Sequence, residues 1–259
     1  MDCIILAAGF GTRLRRQARS TELEGIIGSV PKPLLPLNGD CIVGHLLRFL
    51  KGRASVGRVF VVTNGAHCHR FLEWREGLDR DLRRDVEVIC DPAKNEDQRL
   101  GSLGDLNWAL MNGVGMKGPI MVLAGDCLLM GDDPGRWITE FQRKGASTLL
   151  VQRCHQREIS KRSGCVYVGA GSQVLAFEEK PLRPKWPWAA LPVHIYTKDV
   201  MEMLPVYLGV GGDADSMGGW IPWLLKRGVM IAAVEFKGVR IDCGSLEGYL
   251  KARAMAVGA

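Results

Sequence analysis

The sequence predicts an α/β fold: a doubly wound, mostly parallel sheet with helices on both faces and a mixed β wall along one side. Three observations carry this reading. An apolar run, Cys3-Ile4-Ile5, leads straight into the glycine loop Leu6-Ala7-Ala8-Gly9-Phe10-Gly11. Apolar strand-like runs then alternate with helical patterns as far as residue 124, and that alternation calls for a parallel sheet covered on both sides. Beyond that point the pattern becomes mixed, with strand following strand.

In chain order, a helical pattern over 43–51 precedes an apolar strand at 57–63, and a second over 67–78 precedes a strand at 86–90. A third helix at 103–111 leads to the strand 119–124. Residues 148–151 and 165–168 read as strands, the latter turning through Gly169-Ala170-Gly171-Ser172 into 173–177 as a hairpin. No linker divides the chain, so 1–259 is expected to form a single domain with halves at 1–130 and 131–259.

A hydrophobic content of 47% with 24% charged residues argues against disorder and coiled coil. The net charge of +6 is spread along the chain, which favours small anionic substrates and argues against nucleic acid. The arginine-rich stretch 80–84 is interleaved with aspartates and reads as solvated surface. No apolar stretch is long enough to cross a membrane and Met1 leads into a strand, so no membrane partner and a cytoplasmic location are expected. The eight cysteines are scattered, without a Cys-x-x-Cys pair, and read as reduced core residues. His67-Cys68-His69 lacks a second ligand pair at zinc-site spacing.

Gly9 and Gly11 remove side chains that would keep a phosphate away from backbone N–H groups, and glycine permits positive φ in a tight turn. Arg13 adds a permanently charged fork suited to phosphate. Pro31-Lys32-Pro33 stiffens the backbone around one lysine, which can then be aimed at an anion at little entropic cost. Asp126 ends an apolar strand, where this architecture places ligands, and a carboxylate there is a hard ligand for Mg²⁺ or else a cap for the next segment. Asp242 falls just before a helix that Ser245 can cap, with Glu247 in its first turn, and it could complete a metal site with Asp126.

Taken in order, Leu6-Ala7-Ala8-Gly9-Phe10-Gly11-Thr12-Arg13-Leu14, Pro31-Lys32-Pro33-Leu34, Leu100-Gly101-Ser102-Leu103-Gly104, Gly125-Asp126, Phe177-Glu178-Glu179-Lys180-Pro181 and Asp242-Cys243-Gly244-Ser245 resemble the motifs of one enzyme family. These are the sugar-1-phosphate nucleotidylyltransferases, or NDP-sugar pyrophosphorylases. The resemblance implies a Rossmann-like sheet, a mainly NTP-binding first half, a mainly sugar-phosphate-binding second half and the mixed β wall over the sugar side. It implies Mg²⁺-dependent transfer of a nucleoside monophosphate from an NTP to a sugar 1-phosphate, with release of pyrophosphate. Leu6, Ala7, Ala8, Gly9, Gly11, Thr12 and Arg13 would hold the triphosphate, and Lys32 would lie at the reacting phosphates. Glu96, Gly101 and Ser102 would border the base, and Asp126 and Asp242 would hold Mg²⁺. Gly164, Glu179 and Lys180 would contact the sugar phosphate. Arg13, Lys32 and Asp126 would be the catalytic residues. A sugar phosphate is already largely dianionic at neutral pH, its second pKa being ~6, so no general base is required. Self-association into a homo-oligomer is left open.

Several stretches depart from the family pattern. The connection 14–30 is long, and Ser20-Thr21-Glu22-Leu23-Glu24-Gly25 reads as an extra flap near the triphosphate. Pro192-Val193-His194-Ile195-Tyr196 replaces an Asn-x-Gly before the Ile-Tyr pair, leaving His194 as a sugar contact or a packed histidine. Ser163 stands where an aromatic residue often precedes the glycine matched by Gly164. Glu96, acceptor-only when ionised, suits guanine, while Gln98 keeps uracil and thymine open. Trp186 and Trp188 follow the Glu-Lys-Pro motif, and an aromatic cage there would favour a cytidylyltransferase acting on a phosphorylated alcohol such as phosphocholine. Trp220 and Trp223 have the i, i+3 spacing of helix packing. A dinucleotide-binding oxidoreductase is disfavoured because Leu14 stands where a third glycine belongs. A non-catalytic nucleotide-sugar-binding regulatory protein would be expected to have lost one of the aspartates or lysines.

Overall fold

Strand β1 (Asp2–Leu6) is apolar because it is covered on both sides: Cys3, Ile4 and Ile5 are wholly buried. A computed structural model describes residues 1–52, 56–155 and 163–255. After β1 come α1 (Thr12–Ala18), α2 (Glu24–Ser29), the short strands β2 (Pro36–Leu37) and β3 (Asp40–Cys41), α3 (Ile42–Lys51) and β4 (Val59–Thr63). Then follow α4 (Cys68–Glu76), α5 (Arg80–Arg84), β5 (Val86–Cys90), α6 (Ser102–Ala109), β6 (Ile120–Ala124), β7 (Cys127–Met130) and α7 (Pro134–Lys144). The remainder is β8 (Ser147–Arg153), β9 (Cys165–Val168), β10 (Val174–Glu178), β11 (Trp188–Tyr196), α8 (Lys198–Glu202), α9 (Leu204–Gly209), α10 (Ile221–Lys226), β12 (Ile231–Glu235), β13 (Val239–Asp242) and α11 (Leu246–Met255).

The chain folds as two compact units whose boundaries do not follow residue order. One comprises Met1–Ile4, Leu100–Leu123 and Gly135–Lys237; the other comprises Ile5–Arg99, Ala124–Pro134 and the chain from Gly238 on.

In the first unit the strands run β10-β9-β11-β6-β1, and β8 pairs with both β11 and β12. Strand β11 is antiparallel to β6, β8 and β9, whereas β12 is parallel to β8. This is the mixed wall that the irregular second half of the sequence announced. Its core holds a chain of rings: His194 meets Tyr196 edge-on at 5.4 Å, Tyr196 meets Trp220 at 5.2 Å, and Tyr207 lies 6.1 Å from Trp220. Trp223 packs on Tyr207, as its helical spacing with Trp220 led us to expect.

In the second unit β4 and β5 are parallel, in register from Val59 opposite Val86 to Thr63 opposite Cys90. Cys90 therefore ends level with the strand that leads to α4, and it forms a disulfide with Cys68, the first residue of that helix. The expectation of eight reduced cysteines is corrected at this pair: helix start and strand end bring their Cα atoms to 5.7 Å, a spacing a disulfide spans, though nothing in the sequence spacing marks it. Cys3, Cys41, Cys127, Cys165 and Cys243 are free and buried, as read from the sequence. A separate two-stranded antiparallel sheet pairs β7 with β13, and α1, α2 and α11 pack on it through Leu14, Ala18, Ile27, Leu128, Ile241 and Tyr249. Ser20 to Gly25, read as an extra flap, is the turn between two docked helices and the start of the second. In the turn that joins α1 and α2, Thr21 Oγ1 donates to Ala18 O at 2.6 Å and Glu24 Oε2 accepts from Ser20 N–H at 2.8 Å.

His194 sits inside the first unit's core with Nδ1 against the Tyr196 hydroxyl, and burial pushes its pKa down to about 4. The fold therefore holds it neutral, while the unfolded chain takes up a proton as pH falls below about 6.5, and stability is lost across that window. Urea unfolding at pH 7 and pH 4.5 should show a loss on the order of 2–3 kcal/mol larger in the wild type than in His194→Gln. An unchanged pH dependence in the variant would contradict this assignment.

Candidate active site

The glycine loop is rooted by buried backbone. Leu6, Ala7 and Ala8 are buried; Leu6 O accepts from Gly125 N–H at 2.8 Å, and Ala7 N–H donates to Val62 O at 2.7 Å. Asn64, fully buried just past β4, donates from Nδ2 to Ala8 O at 2.7 Å and accepts from His67 N–H at 2.9 Å. An amide buried at the end of a wholly apolar strand must find partners, and here the loop supplies them. Sequence reading passed over Asn64, although its place at the carboxyl end of the Val59–Thr63 run was a usable signal.

The two glycines do different things. Gly11 takes φ +72° directly before α1, with Lys32 Cβ 3.5 Å from where a methyl group would sit. Gly9 does not use the positive φ that glycine permits; it is exposed, with open space where a side chain would go. Its smallness keeps the approach to the loop clear. Gly125 is needed for packing, since a methyl there would lie 3.0 Å from Ile5 and from Leu6 O.

Four charged residues meet around Gly244. Lys32 Nζ contacts Asp126 Oδ2 at 2.6 Å, and Arg13 Nε donates to Gly244 O at 2.9 Å. Gly244 N–H donates to Asp242 Oδ1 at 2.7 Å, and Cys243 N–H donates to Asp126 O at 2.9 Å. A methyl on Gly244 would lie 2.6 Å from Arg13 Nη2, 2.8 Å from Asp242 Oδ1 and 3.5 Å from Asp126 Oδ2. Asp126 and Asp242, far apart in sequence, are joined because β13 pairs with β7 so that Asp242 stands opposite Cys127.

Burial opposes the charge on Lys32, but Asp126 and Asp242 outweigh it and raise its pKa above that of an ordinary lysine. Burial likewise opposes ionisation of Asp126, and Lys32, with Arg240 behind it, outweighs that and holds Asp126 below the usual carboxylate range. Ser245 caps α11 as expected, its Oγ accepting from Gly248 N–H at 3.2 Å. Glu96 stands in a short 3₁₀ turn of this same unit, with Oε2 buried and hydrogen-bonded to nothing among the described residues. Gln98 Oε1 is taken by Lys94 N–H at 2.9 Å.

The first unit gathers the remaining residues around the loop 213–219, which sequence reading had not marked. Gly101 has φ +79°, and any side chain there would meet Ala214 O at 2.5 Å. Ser102 Oγ donates to Asp215 O at 2.8 Å. Glu179 Oε1 accepts from Ser216 Oγ at 2.5 Å and lies 3.5 Å from Lys180 Nζ. A methyl on Gly218 would lie 2.5 Å from Glu179 Oε2, and one on Gly164 would strike the Phe177 ring. Trp186 stacks on Tyr167 at 5.7 Å and Trp188 faces the Arg153 guanidinium, so the two tryptophans are spent on neighbours and build no cage with one another. His194, in the core, is a packed histidine.

A glycine loop follows a buried strand, and two carboxylates balanced by lysine and arginine stand at and just past strand ends in an α/β protein. The chain belongs to the nucleotidyl transferase family, whose model matches residues 2–257. It is 24% identical over 262 residues to a UTP–glucose-1-phosphate uridylyltransferase of Synechocystis, covering 97% of this chain and 62% of that protein. It is 29% identical over 261 residues to a glucose-1-phosphate adenylyltransferase of Desulfitobacterium hafniense, covering 97% and 63%. The chain thus spans a little under two thirds of the length of these relatives. Among solved structures, UDP-glucose pyrophosphorylase in complex with UDP-glucose superposes with a TM-score of 0.78 at 22% identity, covering 99% of this chain and 98% of that one. The fold is therefore the Rossmann-like one expected.

Gly244→Ala should push Arg13 and Asp242 apart and lower NTP affinity at least tenfold by calorimetry, whereas Gly28→Ala, which meets open space, should bind as the wild type does. Equal affinities would show that the close approach at Gly244 is not needed for binding.

Proposed function

We propose that the protein transfers a nucleoside monophosphate from an NTP to a sugar 1-phosphate, with Mg²⁺, giving an NDP-sugar and pyrophosphate. The observation that carries this is the meeting of Arg13, Lys32, Asp126 and Asp242 around Gly244, beside the root of the glycine loop. Two carboxylates are the protein share that Mg²⁺ takes in nucleotide sites, with phosphate oxygens and water completing the shell. When bound, the ion would neutralise phosphate charge. Asp126 and Asp242 would hold it.

An oxygen of the sugar phosphate forms a bond to the α-phosphorus as the bond from that phosphorus to the oxygen bridging it to the β-phosphorus breaks. Pyrophosphate leaves with the electron pair. Arg13 and Lys32 lower the repulsion between the two polyanions and hold the α-phosphorus for in-line attack. Glu179, fixed by Ser216, accepts from sugar hydroxyls, and Lys180 takes the sugar phosphate. Glu96, whose Oε1 lies 3.8 Å from Arg99 Nη1 and whose Oε2 has no hydrogen-bond partner among the described residues, favours guanine, whose N1–H and amine donate to an acceptor-only group. The relatives' names include uridylyl and adenylyl transfer, so UTP and ATP belong in any assay. A cytoplasmic location goes with this reading; the Cys68–Cys90 bridge would be unusual in that compartment.

Pyrophosphate release should be measured with GTP, UTP, dTTP, ATP and CTP against glucose 1-phosphate, mannose 1-phosphate and phosphocholine, with and without Mg²⁺. At least one sugar phosphate pair should turn over, and Asp126→Ala and Asp242→Ala should each lose at least a hundredfold in kcat. No turnover with any sugar phosphate, or full activity in both variants, would overturn the mechanism.

A further inference from the structure

The helix that follows the glycine loop carries more positive charge than the reaction above uses. In α1, Thr12, Arg15 and Arg16 are spaced i, i+3, i+4, and Arg19, at its end, completes the row at i+7. The opposite face carries Leu14 and Ala18, both buried in the core. Thr12, Arg13, Arg15, Arg16 and Arg19 together line a cavity of about 420 Å³.

What sets these arginines apart is that they share one cavity: exposed Arg70, Arg80 and Arg183 also have no carboxylate within 4 Å among the described residues, but they do not line it. Arg48, Arg75, Arg83 and Arg143 each have a carboxylate within 4 Å. Among the described residues the side chains of Arg15, Arg16 and Arg19 have neither a carboxylate partner nor a hydrogen bond. Guanidinium groups gathered on one helix face repel one another, and an anion between them removes that repulsion while gaining bidentate hydrogen bonds. The cavity's size suits a compact polyphosphate. A nucleic acid would need an extended basic track, and the row ends at Arg19, with Glu22 and Glu24 next.

We infer that the Arg15-Arg16-Arg19 face of α1 is a binding site for a pyrophosphate group, both as the terminal phosphates of a bound NTP and as the pyrophosphate that leaves. The inference rests on the proposed reaction for its place in the cycle, but the binding itself does not need turnover. Arg13, which lines the cavity while its Nε holds Gly244 O, connects this face to the Asp126–Asp242 cluster. Arg15, Arg16 and Arg19 would therefore set how tightly pyrophosphate is kept and how strongly it inhibits as product.

The test is calorimetric titration of the intact protein at fixed ionic strength with pyrophosphate, with a non-hydrolysable α,β-methylene NTP and with the matching nucleoside monophosphate. The wild type is compared with Arg15→Gln/Arg16→Gln/Arg19→Gln, whose changed side chains all face away from the core. The expected result is at least a tenfold loss for pyrophosphate and for the NTP analogue, with monophosphate affinity unchanged. Unchanged pyrophosphate binding, an equal loss for the monophosphate, or a wild type that binds single-stranded RNA more tightly than pyrophosphate would overturn the site. If the triple variant loses pyrophosphate binding while no sugar phosphate is turned over by the wild type, the anion site stands and the reaction falls.

Discussion

The contact between Lys32 and Asp126 is the one on which the charged cluster of the second unit depends. A carboxylate drawn partly out of water is costly unless a cation stands against it, and a lysine in the same position has the mirror-image problem. Each solves the other's difficulty, which is why the aspartate's pKa is lowered and the lysine's raised. The pair is therefore stored charge of both signs at the place where a triphosphate and a divalent cation would enter together.

The fold assembles this pair from distant segments by simple means. Pro31 and Pro33 stiffen the segment that carries Lys32, and Asp126 follows the end of β6. The β7–β13 pairing then brings Asp242 level with Cys127, and Gly244 leaves the space into which Arg13 reaches. None of these parts tolerates much bulk. Gly244 and Gly125 are small because neighbours crowd them, whereas Gly9 is small so that the approach stays open.

The strands at 57–63, 86–90 and 119–124 were legible because each is an apolar run of ordinary length, and 86–90 matches β5 residue for residue, whereas α1, α2, β2, β3 and α5 were not read. The candidate residues Arg13, Lys32, Asp126 and Asp242 were legible as types at motif spacing, and the fold brings them together. What stayed hidden depends on tertiary neighbours. Asn64 matters only because Ala8 O needs a donor, Ser216 only because Glu179 needs one, and Cys68 finds Cys90 only once α4 packs beside β5. Ser20 to Gly25 looked like a flap because the connection 14–30 is longer than the family pattern, yet Leu14, Ala18 and Ile27 are enough to dock two short helices there.

If Lys32 already neutralises Asp126, a divalent cation arriving alone must displace the lysine, whereas a triphosphate gives Lys32 a new partner and frees the carboxylate. Binding of Mn²⁺, followed by electron paramagnetic resonance with and without a non-hydrolysable NTP, tests this most directly. The expected result is weak binding alone, at least tenfold tighter binding with the nucleotide, and loss of that gain in Asp126→Asn and Asp242→Asn. Equal Mn²⁺ affinity with and without nucleotide, or a full gain in both variants, would contradict it.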